Sequence, residues 1–444
     1  MKRIILLVWV LIISFLSQAQ LQQSLNFYAD KCQSLKIGTA VGSNFYTAYD
    51  NGDIYNRTII NNFNILVAEN EMKFDAMEPQ KGNFNYNNSD KLVAYAQKYN
   101  MQLRGHNLCW HSQLPSWITA GLTNGIANGT FTRTSLQAIL KNHINTIVTR
   151  YKGKVQQWDV VNEPFNDGTG TLRNSIWQQV IGNDYIDSTF VWAHRADPDA
   201  KLYLNEYSGE MYGDTKSEVL FNYVKSMKDR GIPITGVGFQ CHFTVNTINF
   251  TKLDQNIKRY AAAGLEVIVT ELDIRIKNTD YNSNPAKWLA YQASDYQNMI
   301  NICLNNSNAK TFVTWGFTDL YSWIPNFTSN TYGYSLIFDN SYTIKPAYTS
   351  ILNVLSTESA RLSAVNPVKE TAEVRLFFTN GLAFIKTDNA MTRCQLFDMK
   401  GNCLIVSEVK NNKIEIPLNN VQSGMYILKV QLENGQTITR KFIR

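Results

Sequence analysis

The chain has 444 residues, 44% of them hydrophobic and 18% charged, with a net charge of 42 − 36 = +6. The length exceeds the usual domain of about 100–150 residues, and the balance excludes a disordered, collagen-like or disulfide-framework protein. Six Cys are too sparse for a disulfide scaffold, and the modest charge with no basic run beyond two residues speaks against a nucleic-acid partner.

In chain order, Lys2 and Arg3 precede an apolar run from Ile4 to Leu16, followed by Ser17-Gln18-Ala19. This is the pattern of a secretory signal peptide over 1–19, and the run is shorter than the ~20 residues of a membrane helix. Eight strand-like runs follow: Lys36–Val41, Asn64–Asn70, Gln102–Asn107, Val155–Asn162, Lys201–Asn205, Gly236–Gln240, Leu265–Thr270 and Thr311–Phe317. Several are continuously apolar, as strands buried on both faces must be. Helical periodicity lies between them, for example over Asp90–Tyr99, Ser135–Tyr151 and Ser217–Arg230. Eight βα units predict an α/β fold, a (β/α)₈ barrel over 20–358. A short helix at about Thr349–Ser356 leads into a polar linker over 359–372. From 373 to 444 seven short strands, Val374–Phe378, Leu382–Thr387, Arg393–Phe397, Leu404–Val406, Lys413–Pro417, Met425–Leu432 and Thr437–Phe442, are punctuated by turns at Asn380-Gly381, Lys400-Gly401 and Asn434-Gly435, which predicts a small antiparallel β domain, sandwich-like. From Val365 on there are 11 basic and 7 acidic residues, so this part holds 11 − 7 = +4 of the net charge, with no Trp and no His. Cys109 and Cys241 are expected as small buried hydrophobes. A two-residue hairpin at Lys400-Gly401 would set Asp398 opposite Cys403 and Cys394 opposite Ser407, so no Cys394–Cys403 disulfide is expected.

Eight of the nine Trp lie between Trp110 and Trp323, and all five His between His106 and His242. Flat rings crowded into one region suit either a large core or a groove for sugars, whose apolar C–H faces stack on them. Two carboxylates stand at the ends of the fourth and seventh predicted strands: Glu163 and Glu271. Barrel enzymes hold their catalytic groups on that face, and two facing carboxylates are the minimal equipment for glycoside hydrolysis. Other strand ends bring Glu69, Asn70 and Lys73; His106, Asn107, Trp110 and His111; Gln240 and His242; Trp315 and Trp323. A polar residue at nearly every strand end suits a polyhydroxylated ligand. A metal hydrolase site built on His106, His111 and His242 lacks the usual H-x-H or H-E-x-x-H spacing, so no metal and no cofactor is expected.

Residues 36–350 resemble a glycoside hydrolase family 10 endo-1,4-β-xylanase. The resemblance is carried by Glu69-Asn70-Glu71-Met72-Lys73, Gly105 through Pro115, Trp158–Glu163, Gly238-Phe239-Gln240-Cys241-His242, Thr270–Asp273, Trp315 through Trp323 and Lys345-Pro346-Ala347-Tyr348. It implies a retaining enzyme that cuts internal β-1,4-xylosidic bonds of xylan or xylo-oligosaccharides, with Glu163 as acid/base and Glu271 as nucleophile. It further implies that Asn162 bonds the sugar 2-hydroxyl and that Glu69, Asn70, Lys73, His106 and Gln240 bind sugar. Trp110, Trp315 and Trp323 would form walls, and His242 would bond the nucleophile with Asp273 behind it. Glu163 must start protonated and Glu271 ionised; a retaining pair lies about 5–5.5 Å apart. Trp158 and Asp159 read as packing and support. Departures from the family pattern are Phe74 for Trp, Glu206 for Asp in Asn205-Glu206-Tyr207, Cys241 for a small residue and Asn107 for Thr. Activity on β-1,4-glucan stays open.

Phe397-Asp398-Met399-Lys400-Gly401, Ile414–Leu418, Ser423 through Val430 and Lys441-Phe442-Ile443-Arg444 resemble the C-terminal sorting domain of the type IX secretion system of Bacteroidetes. This implies a secretion-machinery partner, passage through the periplasm of a Gram-negative cell, and release or attachment at the cell surface. A carbohydrate-binding module would display Trp or several Tyr, and this segment has only Tyr426. No membrane span is expected, and a monomer is.

Overall fold

The computed structural model describes residues 24–32, 35–365, 374–379, 382–399, 401–419, 421–422, 424–433, 435 and 437–443. The signal-peptide reading, the turn at Asn380-Gly381, and Lys400 and Asn434 of the other two turns lie outside them. The chain divides into two compact units, before and after Ala360–Arg361.

The first unit is a closed barrel of eight parallel strands: β1 Lys36–Val41, β2 Ile65–Ala68, β3 Gln102–His106, β4 Gln157–Asn162, β5 Lys201–Glu206, β6 Gly236–Phe239, β7 Glu266–Lys277 and β8 Thr311–Thr314. Each pairs with its neighbours in sequence, and β8 closes on both β1 and β7. β2, β4, β6 and β8 are buried at every residue; β2 accordingly reads as a continuously apolar run, whereas β4 buries Gln157, Asp159 and Asn162 among its apolar residues. The three helices named above appear as Asn87–Lys98, Arg133–Arg150 and Thr215–Asp229. The second is opened by a capping box between Thr132 and Ser135.

Two differences from expectation have local causes. β7 continues to Lys277, because the short strand His242–Thr244 pairs with Asp273–Arg275 and Tyr332–Gly333 pairs with Ile276 and Lys277. The terminal helix runs Pro346–Val365, well past Ser356 and into the expected linker. No Gly or Pro interrupts it until Pro367, so polarity alone does not stop it. Its Ala347, Ile351 and Leu355 are buried in the barrel's core.

The second unit is antiparallel. Its strands are β9 Arg375–Thr379, β10 Leu382–Asp398, β11 Cys403–Pro417, β12 Met425–Leu432 and β13 Thr437–Ile443. The first half of β10 pairs with β9, its second half with β12, and β11 spans both halves. Seven expected strands are therefore five: β10 and β11 each run on through a stretch expected as a break, with register shifts between Lys386 and Met391 and between Met391 and Arg393. Cys394 pairs with Ser407 as expected, but a shift after Leu396 sets Phe397 rather than Asp398 opposite Cys403. Cys394 is buried and Cys403 exposed, both as free thiols. Among the described residues no helix is long and apolar enough to cross a membrane.

Candidate active site

The C-terminal ends of the barrel strands converge on one cavity of about 890 Å³, toward the upper end of the roughly 300–1,000 Å³ usual for ligand sites. Glu69, Asn70, Lys73, His106, Trp110, Asn162, Glu163, Gln240, His242, Glu271, Trp315 and Trp323 all line it.

Glu163 follows β4 directly, in a left-handed backbone conformation with φ of 52°. Its carboxylate accepts from Trp110 Nε1 at 2.9 Å and from Gln240 Nε2 at 3.0 Å. Both donors are neutral. Trp110 is fixed in turn by its carbonyl, which accepts from Trp177 Nε1 at 2.7 Å.

Glu271 sits inside β7 and is buried. It accepts from Asn205 Nδ2 at 2.6 Å and faces His242 Nε2 at 3.3 Å. His242 Nδ1 meets Asp273 Oδ2 at 2.8 Å, and the same oxygen accepts from Trp323 Nε1 at 2.9 Å. Burial alone would raise the Glu271 carboxyl. The His242 hydrogen bond and the charges of His106 and His242, with the Asn205 bond, outweigh it and hold the group down to about 2. Burial likewise opposes charge on His242, but Asp273 and Glu271 lift it to about 10. The ordered stack Glu271–His242–Asp273–Trp323 thus carries a fixed negative charge at the cavity wall.

Amides connect the two carboxylates. Asn205 Nδ2 bonds Asn162 Oδ1 at 2.9 Å as well as Glu271, and Gln240 Nε2 spans Glu163 and, at 3.4 Å, Asn162 Oδ1. Thr270 Oγ1 donates to Asn205 Oδ1 at 2.7 Å, fixing that amide's orientation. Gly238 makes room for it: a Cβ there would lie 2.2 Å from Asn205 Oδ1.

On the β2–β3 side, Lys73 is buried and donates to Asn70 Oδ1 at 3.0 Å and Gln113 Oε1 at 2.6 Å. Burial lowers its pKa against the pull of Glu271 and Glu69. Glu69 is pushed up to about 7, by burial first and the neighbouring Glu71 second. His106 Nδ1 lies 2.9 Å from Asp159, which also pairs with Arg104. Asp159 is thus support beneath the site, and Trp158 is buried packing. Trp315 meets the His106 ring edge-on at 5.3 Å.

The departures resolve individually. Phe74 is buried and stacks on His143 at 3.5 Å. Cys241 is fully buried with φ of 62°, and Asn107 is buried beside His106. Glu206 is fully buried and touches three donors: Phe165 N, Tyr207 N and Lys216 Nζ. Burial pushes its carboxyl up to about 8 against the pull of Lys216.

The cavity also has Gln113, Asp167, Tyr207, Ser208, Glu210, Met211, Asp214, Phe243, Arg275 and Phe327 on its walls, none of them expected as site residues. Most lie on loops beyond the strands, where no periodicity marks them. Arg275 had a signal: it alternates with Glu271 and Asp273 on one face of a strand longer than expected. Among the described residues no group of three or more His, Cys, Asp or Glu could hold a metal ion.

Residues 24–354 match the family model for glycosyl hydrolase family 10. The chain belongs to glycosyl hydrolase family 10. Residues 366–444 match the model of a secretion system C-terminal sorting domain. An endo-1,4-β-xylanase B of Thermotoga neapolitana is 37% identical over 322 residues, covering 72% of this chain and 89% of the relative. An endo-1,4-β-xylanase A of Phanerodontia chrysosporium is 42% identical, covering 69% and 73%. The crystal structure of xylanase 10B from Thermotoga petrophila in complex with xylobiose superposes with a TM-score of 0.70 at 39% identity, covering 76% of this chain and 98% of that one. The family 10 barrel and its cavity are therefore shared with proteins known as xylanases.

Proposed function

We infer that this protein is a retaining endo-1,4-β-xylanase. The observation that carries the mechanism is the contrast between the two carboxylates: Glu271 is held ionised by His242 and Asn205, whereas Glu163 is touched only by neutral donors. Glu271 is the nucleophile. Its oxygen bonds the anomeric carbon as the glycosidic C–O bond breaks, and Glu163 gives its proton to the leaving oxygen. The ester that forms removes the charge from Glu271. Glu163, now a carboxylate, takes a proton from water, whose oxygen displaces Glu271 and leaves a β-configured product. Asn162 bonds the sugar 2-hydroxyl. Glu69, Asn70, Lys73, His106 and Gln240 hold hydroxyls, and Trp110, Trp315 and Trp323 wall the sugar. We propose that the protein acts as a monomer.

The test is proton NMR of early hydrolysis of a xylo-oligosaccharide. The β-anomer forms first; first appearance of the α-anomer would overturn the covalent route and the role of Glu271. Reducing-sugar release on xylan, β-1,4-glucan and mannan checks the substrate: xylan should dominate.

We also infer export. A signal peptide over 1–19 takes the chain to the periplasm of a Gram-negative cell, and the sorting domain over 373–444 directs it through type IX secretion to the outside or the cell surface. The buried Tyr426, whose hydroxyl donates to the Gln422 carbonyl at 2.7 Å, supports sorting over sugar binding. Deleting 373–444 in the native host should leave the enzyme inside the cell.

A further inference from the structure

Glu163 has a backbone conformation that non-glycine residues adopt rarely and at an energetic cost. Such a residue persists only where its surroundings over-determine it. Here they do so completely. The segment Glu163-Pro164-Phe165 has five backbone polar atoms, since proline lacks an N–H, and all five are bonded. Glu163 N donates to Asn205 O at 2.9 Å, and Glu163 O accepts from Arg173 Nε at 3.1 Å. Pro164 O accepts from Arg173 N at 2.6 Å, Phe165 N donates to Glu206 Oε2 at 3.1 Å, and Phe165 O accepts from Arg173 Nη2 at 3.1 Å. Two side chains, Arg173 and Glu206, supply three of these bonds. The second Glu206 oxygen is pinned by Lys216 Nζ at 2.9 Å, and Lys216, itself buried, also holds Asp167 at 2.8 Å. Arg173 Nη2 donates further to the Tyr207 hydroxyl at 3.2 Å, and Lys216 lies 3.8 Å over the Tyr207 ring. Tyr207 lines the cavity. One hydrogen-bonded network therefore grips the backbone under Glu163 and the floor of the cavity beside it.

We propose that Glu206 and Arg173 are positioning residues for the acid/base Glu163: they lock its strained backbone so that its carboxyl is aimed at the leaving oxygen. The proposal rests on the acid/base role given to Glu163 above. Neither residue touches sugar on this account. A glutamine at 206 keeps the shape but sets an N–H₂ against donors, losing at least one of the three contacts. A lysine at 173 keeps the charge but has no fork to bridge two carbonyls and a hydroxyl.

The test separates aim from fold by the leaving group. Breaking the bond to a sugar needs a proton from Glu163; expelling 2,4-dinitrophenolate does not. For kcat/KM, E206Q and R173K should each lose about tenfold to a hundredfold on xylotetraose and stay within about threefold on 2,4-dinitrophenyl β-xylobioside. E206D, which keeps two oxygens to accept from these donors, should recover most of the loss. E163A is the control. If E163A itself loses equally on both substrates, the acid/base reading fails. If E163A shows the split and E206Q and R173K, folded by circular dichroism, lose equally on both or on neither, the proposal fails alone. Should E206Q not fold, R173K, whose side chain is half-exposed, decides it.

Discussion

The barrel and the C-terminal sheet are built from strands of opposite logic. Barrel strands such as β4 are buried throughout and keep their chemistry for the last residue and the loop beyond: Asn162 and Glu163, Asn205 and Glu206, Gln240 and His242. The C-terminal strands alternate buried and exposed along their length, as β12 does from Met425 to Leu432, and offer no end where side chains gather. Parallel strands in a closed ring all finish on one rim, so eight independent loop starts become neighbours. Antiparallel strands finish at opposite ends and spread their polar residues over a face. Convergence is thus a property of the barrel topology, and the catalytic reading depends on it.

The sharpest way to break that contrast is to remove single rim residues. Glu271→Ala should lower turnover on xylan by at least about 10⁴-fold with the barrel intact by circular dichroism. Azide or formate should restore part of it, with a product of inverted configuration. Substantial hydrolysis without added anion would sink the nucleophile assignment. Glu163→Ala should cost about 10²–10⁴-fold on xylan, measured as initial rates.

A smaller effect tests the His242 relay. The nucleophile's carboxyl is held at about 2, so the acid limb of kcat/KM lies well below the ordinary glutamate value of about 4.3. In His242→Gln burial is left opposed by fewer donors, and the limb should move up toward or past that value. Stability carries the matching signs. Glu271, lowered on folding, contributes above its ordinary value, and that contribution is lost as pH falls toward 2. His242, raised to about 10, contributes below about 6.5, and that is lost as pH rises toward 10. Melting temperatures between pH 6.5 and 10 should therefore fall more steeply in the wild type than in His242→Gln. Parallel curves would remove His242 from the charge network.

Strands such as β2 were legible because burial on both faces leaves an apolar run, and the more polar β3 and β4 were legible from their place in the alternation of strands with helical segments. The rim residues were legible for the complementary reason: Glu163 and Glu271 end or interrupt such runs, where packing does not explain a carboxylate. The sugar-facing set from Glu69 to Trp323 came from the family resemblance laid over those strand ends. What stayed hidden belongs to loops and to tertiary pairing. Tyr207 and Met211 reach the cavity through loop paths with no period, and Phe327 from a single helical turn, Ile324–Phe327, too short to show one. Asn205 was visible only as part of a departure, yet it bridges Asn162 and Glu271, which depends on its partner Gly238 on the neighbouring strand leaving space for it. The length of β7 depends on two partner segments distant in sequence. The merging of seven expected strands into five depends on two long strands that run on through register shifts in their pairing.

The smallest expected effect is none, and it tests the contrast from the other side. If catalysis belongs wholly to the barrel rim, a chain ending after Val365 should hydrolyse soluble xylan with the full-length turnover number and KM. The site of the cut matters, because the first turns of the terminal helix pack into the barrel. Ala347, Ile351 and Leu355 are fully buried in the barrel's core, whereas Val374, Ile385, Leu396, Leu428 and Ile438 form a cluster of their own. Leu355→Ala should therefore destabilise the barrel by about 2–5 kcal/mol, seen in urea unfolding followed by activity. Removal of everything after Val365 should leave the same unfolding curve. A marked fall in turnover number for the shortened, folded chain would mean that the C-terminal strands contribute to substrate handling, and their alternating surface would then need a functional account of its own.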